Sequence, residues 1–204
     1  MSLRYPDGRS YNSEPKQVKK QAPKTIEFGK RGMSFEEEIN QANDYYLSRN
    51  LAVIHKKPTP VQIVKVDYPA RNMAKITEAY FKTPSTTDYN GVYKGIYLDF
   101  EAKETKNKTS FPFKNFHKHQ ITHMEQVLEQ NGLAFVLLSF SSLSKVFFYP
   151  ADKLIARFHQ QEVRKSISLA DIETEGIEIP LKIMPKVPYL AAVDAYLASV
   201  SVQK

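Results

Sequence analysis

The sequence predicts an α/β fold, a mixed β-sheet flanked by helices, with one projecting insertion. Three observations carry this expectation. Helical and strand patterns follow in the order helix, strand, insertion, hairpin, helix, strand, strand, helix, which places helices on both sides of one sheet. Residues 133–140 are a near-continuous apolar run, as in a central strand covered on both faces. Residues 96–103 alternate instead. Ile96, Leu98, Phe100 and Ala102 share one side, and Tyr97, Asp99, Glu101 and Lys103 share the other.

Each element has its own signal. Residues 1–30 are polar and basic, interrupted by Pro6, Pro15 and Pro23, and read as a mobile arm. That arm is either an electrostatic contact for DNA or an inert solvated terminus. A helix begins at Ser34, with Glu37 three residues on as in a capping box. Phe35, Ile39, Ala42 and Tyr46 mark its buried face. Glu36, Glu37 and Glu38 suit the positive end of the helix dipole, and one of them is free to reach a metal site. Residues 51–54 read as a buried strand, 61–68 as a strand and 72–81 as a helix. The 58–82 segment is either an inserted projection or further core. Asn90-Gly91 is a hairpin-turn signal, since both residues tolerate positive φ. A helix over 116–130 stops at Asn131-Gly132. A strand at 145–149, a helix at 152–159, a short helix capped by Ser168 and a last helix over 189–200 complete the chain.

Composition narrows the function. The 204 residues suggest one domain, and 12 Phe with 12 Tyr can build a sizeable core. The net charge of +7 favours a polyanionic partner, nucleic acid first. The absence of Cys removes thiolate metal sites and fits a reducing, cytoplasmic compartment. No apolar run approaches a membrane span and no signal peptide is evident, so no membrane partner is expected.

The chemistry centres on Asp88, Glu101 and Lys103. A turn at Asn90-Gly91 would fold Asp88 back towards Glu101. Glu101 and Lys103 stand roughly 7 Å apart on one strand face. Two carboxylates and a lysine at one point can hold a divalent cation and stabilise charge on a reacting phosphate. The plainer alternative is a surface strand of mixed charge. After it, residues 104–116 form a basic loop with Phe111, Phe113 and Phe116, suited to phosphates and bases or to anchoring on the core. His119 and His123, four apart on a helix, share a face, but Gln120 stands where a zinc motif has Glu.

Asp88 followed by Glu101-Ala102-Lys103 on a strand resembles the PD-(D/E)xK nuclease superfamily, with its restriction-endonuclease-like core. Longer strings are more specific. Arg31-Gly32-Met33, HKKPTPVQIV at 55–64, STTDYNG at 85–91 and FEAKETKNKTSFP at 100–112 resemble the RecU Holliday-junction resolvases of Gram-positive bacteria. The likeness runs from Arg31 to the C-terminal helix. The proline of the superfamily name is absent, and Thr87 stands before Asp88.

The resemblance implies a nuclease domain over 31–204 behind the arm of 1–30, with 58–82 as a stalk entering a four-way DNA junction. It implies Asp88 and Glu101 as magnesium ligands, with manganese as a substitute. Thr86 and Gln120 would complete the metal shell, Lys103 would stabilise the transition state, and Glu36 would be an additional acid. Arg31, Lys56 and Arg71 match positions used for DNA contact or for modulating the RecA recombinase. The implied enzyme is a nucleoid-associated homodimer acting in recombination and DNA repair. Two alternatives stay open: another duplex endonuclease of this superfamily, and a non-catalytic module that anneals DNA or modulates RecA.

Overall fold

A computed structural model describes residues 33–70, 73–82, 85–160 and 162–201. The arm of 1–30, Arg31 and Arg71 lie outside the described residues. Helix α1 spans Phe35–Ser48. Ser34 caps it as the sequence predicts: its hydroxyl accepts from the Glu37 N–H, and the Glu37 carboxylate accepts from the Ser34 N–H at 2.9 Å. Phe35, Ile39, Ala42 and Tyr46 are all buried.

Strands β1 (Val53–Lys56), β2 (Val61–Asp67), β3 (Lys75–Phe81), β4 (Tyr89–Tyr93) and β5 (Ile96–Thr105) follow. After them come β6 (Ser110–Pro112), helix α2 (Lys118–Glu129), β7 (Leu133–Phe140), β8 (Lys145–Pro150) and α3 (Ala151–Phe158). The chain continues with β9 (Ser166–Ser168), α4 (Leu169–Glu175), β10 (Ile177–Glu178) and α5 (Leu190–Ser201). Six strands form one sheet in the order β1-β4-β5-β7-β8-β10. Among the described residues only the β5–β7 pairing is parallel, with α2 as part of its crossover, so the sheet is mixed.

The alternation along β7 and β8 divides the core. Phe135, Leu137, Val146 and Phe148 pack with α1 and α5 on one face. Val136, Leu138, Phe147 and Tyr149 pack with α2, α3 and α4 on the other. An aromatic ladder crosses four strands on the α1/α5 face. Tyr89 stacks on Phe100 at 4.9 Å, Phe100 on Phe135 at 4.7 Å, and Phe135 meets Phe148 at 4.6 Å. Each such pair contributes about 0.5–1.5 kcal/mol beyond its buried area. The ladder fixes β4 against β5 directly behind the polar face.

Three local expectations are corrected. Asn90 and Gly91 lie inside β4, opposite Asp99 and Leu98. The turn is Lys94-Gly95, both at positive φ (49° and 79°), closing a two-residue hairpin between Tyr93 and Ile96. Gly91 is required by close approach: a Cβ there would stand 2.1 Å from the Val53 carbonyl of the neighbouring strand. The predicted helix over 72–81 is strand β3, paired with β2 in a separate two-stranded ribbon. Ile76, Thr77, Tyr80 and Phe81 fit a pleated ribbon, and with all seven β3 side chains exposed no core selects a helical face. Finally, β1 is an edge strand whose single buried residue is Ile54.

Candidate active site

The site forms where β4 begins beside the middle of β5. Tyr89 pairs with Phe100, which carries Asp88 to the level of Glu101. The Asp88 N–H donates to Glu101 Oε2 at 3.0 Å. The Glu101 side chain is fully buried. Lys103, one side-chain repeat along β5, brings its Nζ to 2.6 Å from Glu101 Oε1. That contact is an ion pair by distance but lies off the hydrogen-bonding direction, so Oε1 is a buried oxygen without a hydrogen bond. Burial pushes the Glu101 carboxyl up to about 8; the adjacent Asp88 carboxyl adds to this, and Lys103 opposes it. Asp88, Glu101 and Lys103 therefore meet.

A cleft of about 250 Å³ opens beside them, lined by Glu36, Lys56, Thr86 and Asp88 among others. Glu36 is exposed and ion-paired with Lys56, so the acid from α1 and the cation from β1 share this rim. The Thr86 hydroxyl donates to the Thr87 carbonyl at 3.2 Å. Gln120 is buried in the first turn of α2, where its Oε1 accepts from the His117 N–H at 3.0 Å. That is a capping role, and among the described residues no hydrogen bond joins Gln120 to Asp88 or Glu101. His119 packs against His117 with rings stacked at 5.4 Å. Burial, then His117 and Lys103, lower its pKa. His123 turns elsewhere, to Asp99. A larger cleft of about 580 Å³ beside Tyr97 and His123 holds neither acid nor lysine.

The donors fit a hard divalent cation. No group of three or more His, Cys, Asp or Glu among the described residues is arranged to hold a metal. The Asp88 carboxyl does lie close enough to Glu101 to raise its pKa, however, and Glu101 presents a buried oxygen lacking a hydrogen bond. Magnesium needs little more from the protein, because waters and substrate phosphate fill the remaining positions.

Asp99, Thr87 and Lys57 carry no role that the sequence alone assigns. Asp99 is completely buried, two residues before Glu101 on the same face of β5. Its carboxylate meets Lys57 Nζ at 2.7 Å, the Tyr97 hydroxyl at 3.0 Å, His123 Nε2 at 3.2 Å and the Thr87 hydroxyl. The available signal was an acid on the side of β5 that also carries Glu101 and Lys103.

Comparison with known proteins gives a consistent result. Residues 30–195 match the family described as RecU, Recombination protein U. A Holliday junction resolvase RecU of Leuconostoc citreum (strain KM20) is 55% identical over 205 residues, covering 98% of this chain and 100% of that protein. Its namesake in Latilactobacillus sakei subsp. sakei (strain 23K) is 58% identical, covering 97% of each. The one in Bacillus cereus (strain B4264) is 53% identical, covering 95% of this chain and 98% of that protein. A solved structure of the Holliday junction resolvase Hjc of Archaeoglobus fulgidus overlays with a TM-score of 0.40 at 12% identity, covering 69% of this chain and 94% of that one. That overlay is too weak to carry weight.

Proposed function

Because the chain belongs to the RecU family of recombination proteins, we propose that it is a metal-dependent endonuclease that resolves four-way DNA junctions during recombination and repair. The observation that carries this reading is that the Asp88 peptide and the Lys103 ammonium both meet the buried Glu101 carboxyl, beside a cleft that Asp88 lines. Asp88 and Glu101 hold the cation, magnesium with manganese as its substitute. Thr86 and Gln120 supply further oxygens, Gln120 after turning from its cap. When bound, the cation lowers the pKa of a coordinated water and screens charge on the scissile phosphate. Lys103, tethered at Glu101 but partly open to solvent, stabilises the anionic transition state. The products are a 5′-phosphate and a 3′-hydroxyl. Glu36 and Lys56 border the path of the strand, with Arg31 and Arg71 as further contacts to DNA or to RecA.

Resolution needs two symmetric cuts, and one site per chain implies a homodimer whose two-fold axis matches the junction's. The β2–β3 ribbon acts as the stalk. Among the described residues it pairs with no strand of the main sheet, and it exposes Ile63, Ile76, Tyr80 and Phe81. Such apolar surface suits unstacked bases at a branch point. The enzyme works in the cytoplasm, at the nucleoid.

Asp88→Asn or Glu101→Gln lowers junction cleavage by about 10²–10³-fold or more, while junction binding persists, since phosphate contacts elsewhere dominate affinity. Wild-type cleavage rates in both variants, with magnesium present, would dismiss this site.

A further inference from the structure

The buried acid at Asp99 has no place in the chemistry just described, and its partners converge on one short stretch of chain. Lys57 follows β1 and grips that stretch twice. Its backbone N–H donates to the Asp88 carbonyl at 2.7 Å, and its Nζ reaches the Thr87 hydroxyl at 3.0 Å. The same Nζ pairs with Asp99. Thr87 donates its hydroxyl to Asp99 and is itself buried. On the other side, Glu101 accepts from the Asp88 N–H. Asp99 and Glu101 are one side-chain repeat apart on β5, so a single strand face holds the residue before the ligand and the ligand's own peptide. His123 closes the arrangement from α2, 3.2 Å from Asp99.

We infer that Asp99, through Thr87 and Lys57, is a positioning residue that sets where the Asp88 carboxylate stands relative to Glu101. The hydroxyl of Thr87 supplies by hydrogen bonding the restraint that a proline ring would supply by its fixed φ. A buried carboxylate with four partners cannot shift without leaving charges unpaired, so the ligand pair is held ready before the cation arrives. The inference rests on the reading of the cleft as a metal site.

Manganese alone, followed by electron paramagnetic resonance on the full chain, tests it without relying on cleavage. Thr87→Val keeps the shape and loses the hydroxyl; its manganese affinity falls by about 10- to 100-fold, while the protein stays cooperatively folded and its metal-free junction binding is unchanged. Thr87→Ser, which keeps the hydroxyl, binds manganese as the wild type does. Asp99→Asn, which keeps the size of the side chain, weakens manganese as Thr87→Val does, so the test survives if either variant fails to fold. Wild-type affinity in Thr87→Val or Asp99→Asn, or an equal loss in Thr87→Ser, overturns the inference. Asp88→Asn separates the two levels. If it binds manganese like the wild type, the metal-site reading falls and takes the inference with it. If it is deficient while Thr87→Val is normal, the inference alone falls.

Discussion

Strand β7 and the β2–β3 ribbon are both rich in apolar residues, and their surroundings are opposite. All eight residues of β7 are buried between β5 and β8, under helices on both faces. In the ribbon every residue of β3 is exposed and β2 has only Val66 partly covered, with Phe81 at 82% exposure. Apolar β-branched and aromatic residues favour a strand in either setting; what they gain from it differs. The sheet turns its side chains into stability and a rigid support for Asp88 and Glu101. An isolated two-stranded ribbon is marginal by itself, and its apolar surface remains available to a partner.

The largest expected effect of dividing the molecule this way is functional. Replacing residues 61–81 by a short Gly-Ser link brings cleavage of four-way junction and linear duplex to parity, while thermal unfolding stays cooperative. A junction preference that survives the deletion, in a protein that is still folded, would remove the stalk role. Next comes the sheet. Phe135→Ala or Phe100→Ala takes out a rung of the ladder and destabilises the fold by about 3–5 kcal/mol in urea unfolding. The same truncation on the ribbon, Phe81→Ala, shifts stability by no more than about 0.5 kcal/mol, because no packing is lost. Equal losses at the two places would erase the contrast.

A smaller effect distinguishes the site from the sheet that holds it. The folded, metal-free protein keeps the Glu101 proton up to about pH 8, whereas the unfolded chain releases it near 4.5. The native state therefore binds more protons between these values, and stability falls as pH rises from about 4.5 to about 8. Glu101→Gln removes that slope and raises the melting temperature at neutral pH without metal. A cation must displace the same proton, so apparent magnesium affinity rises with pH across this window. An unchanged pH–stability profile in Glu101→Gln would show that this carboxyl ionises normally.

The same contrast explains what the sequence made legible. Residues with a defined inside and outside are legible: the Ser34 cap, the buried face of α1 and the run of β7 match the structure, and the apolar side of β5 packs into the core, whereas the burial of Asp99 and Glu101 on its polar side is not legible from alternation. Half of the ribbon reads as helix in the sequence because no core contact imposes a periodicity on 72–81. The sequence places the turn at Asn90-Gly91 because glycine signals both turns and close approach, and only the neighbouring β1 distinguishes them. Asp88 still reaches Glu101, since strand pairing, not the turn's position, sets them opposite. Asp99 is not legible in the sequence because its partners come from positions 57, 87 and 123, which only the folded chain assembles.

The most direct measurement is incubation of the protein with a synthetic mobile four-way junction and a matched linear duplex, each with and without magnesium. The expected result is paired, symmetric nicks in the junction that require magnesium, with the duplex left intact. No magnesium-dependent cutting of the junction, or equal cutting of the duplex, would contradict it.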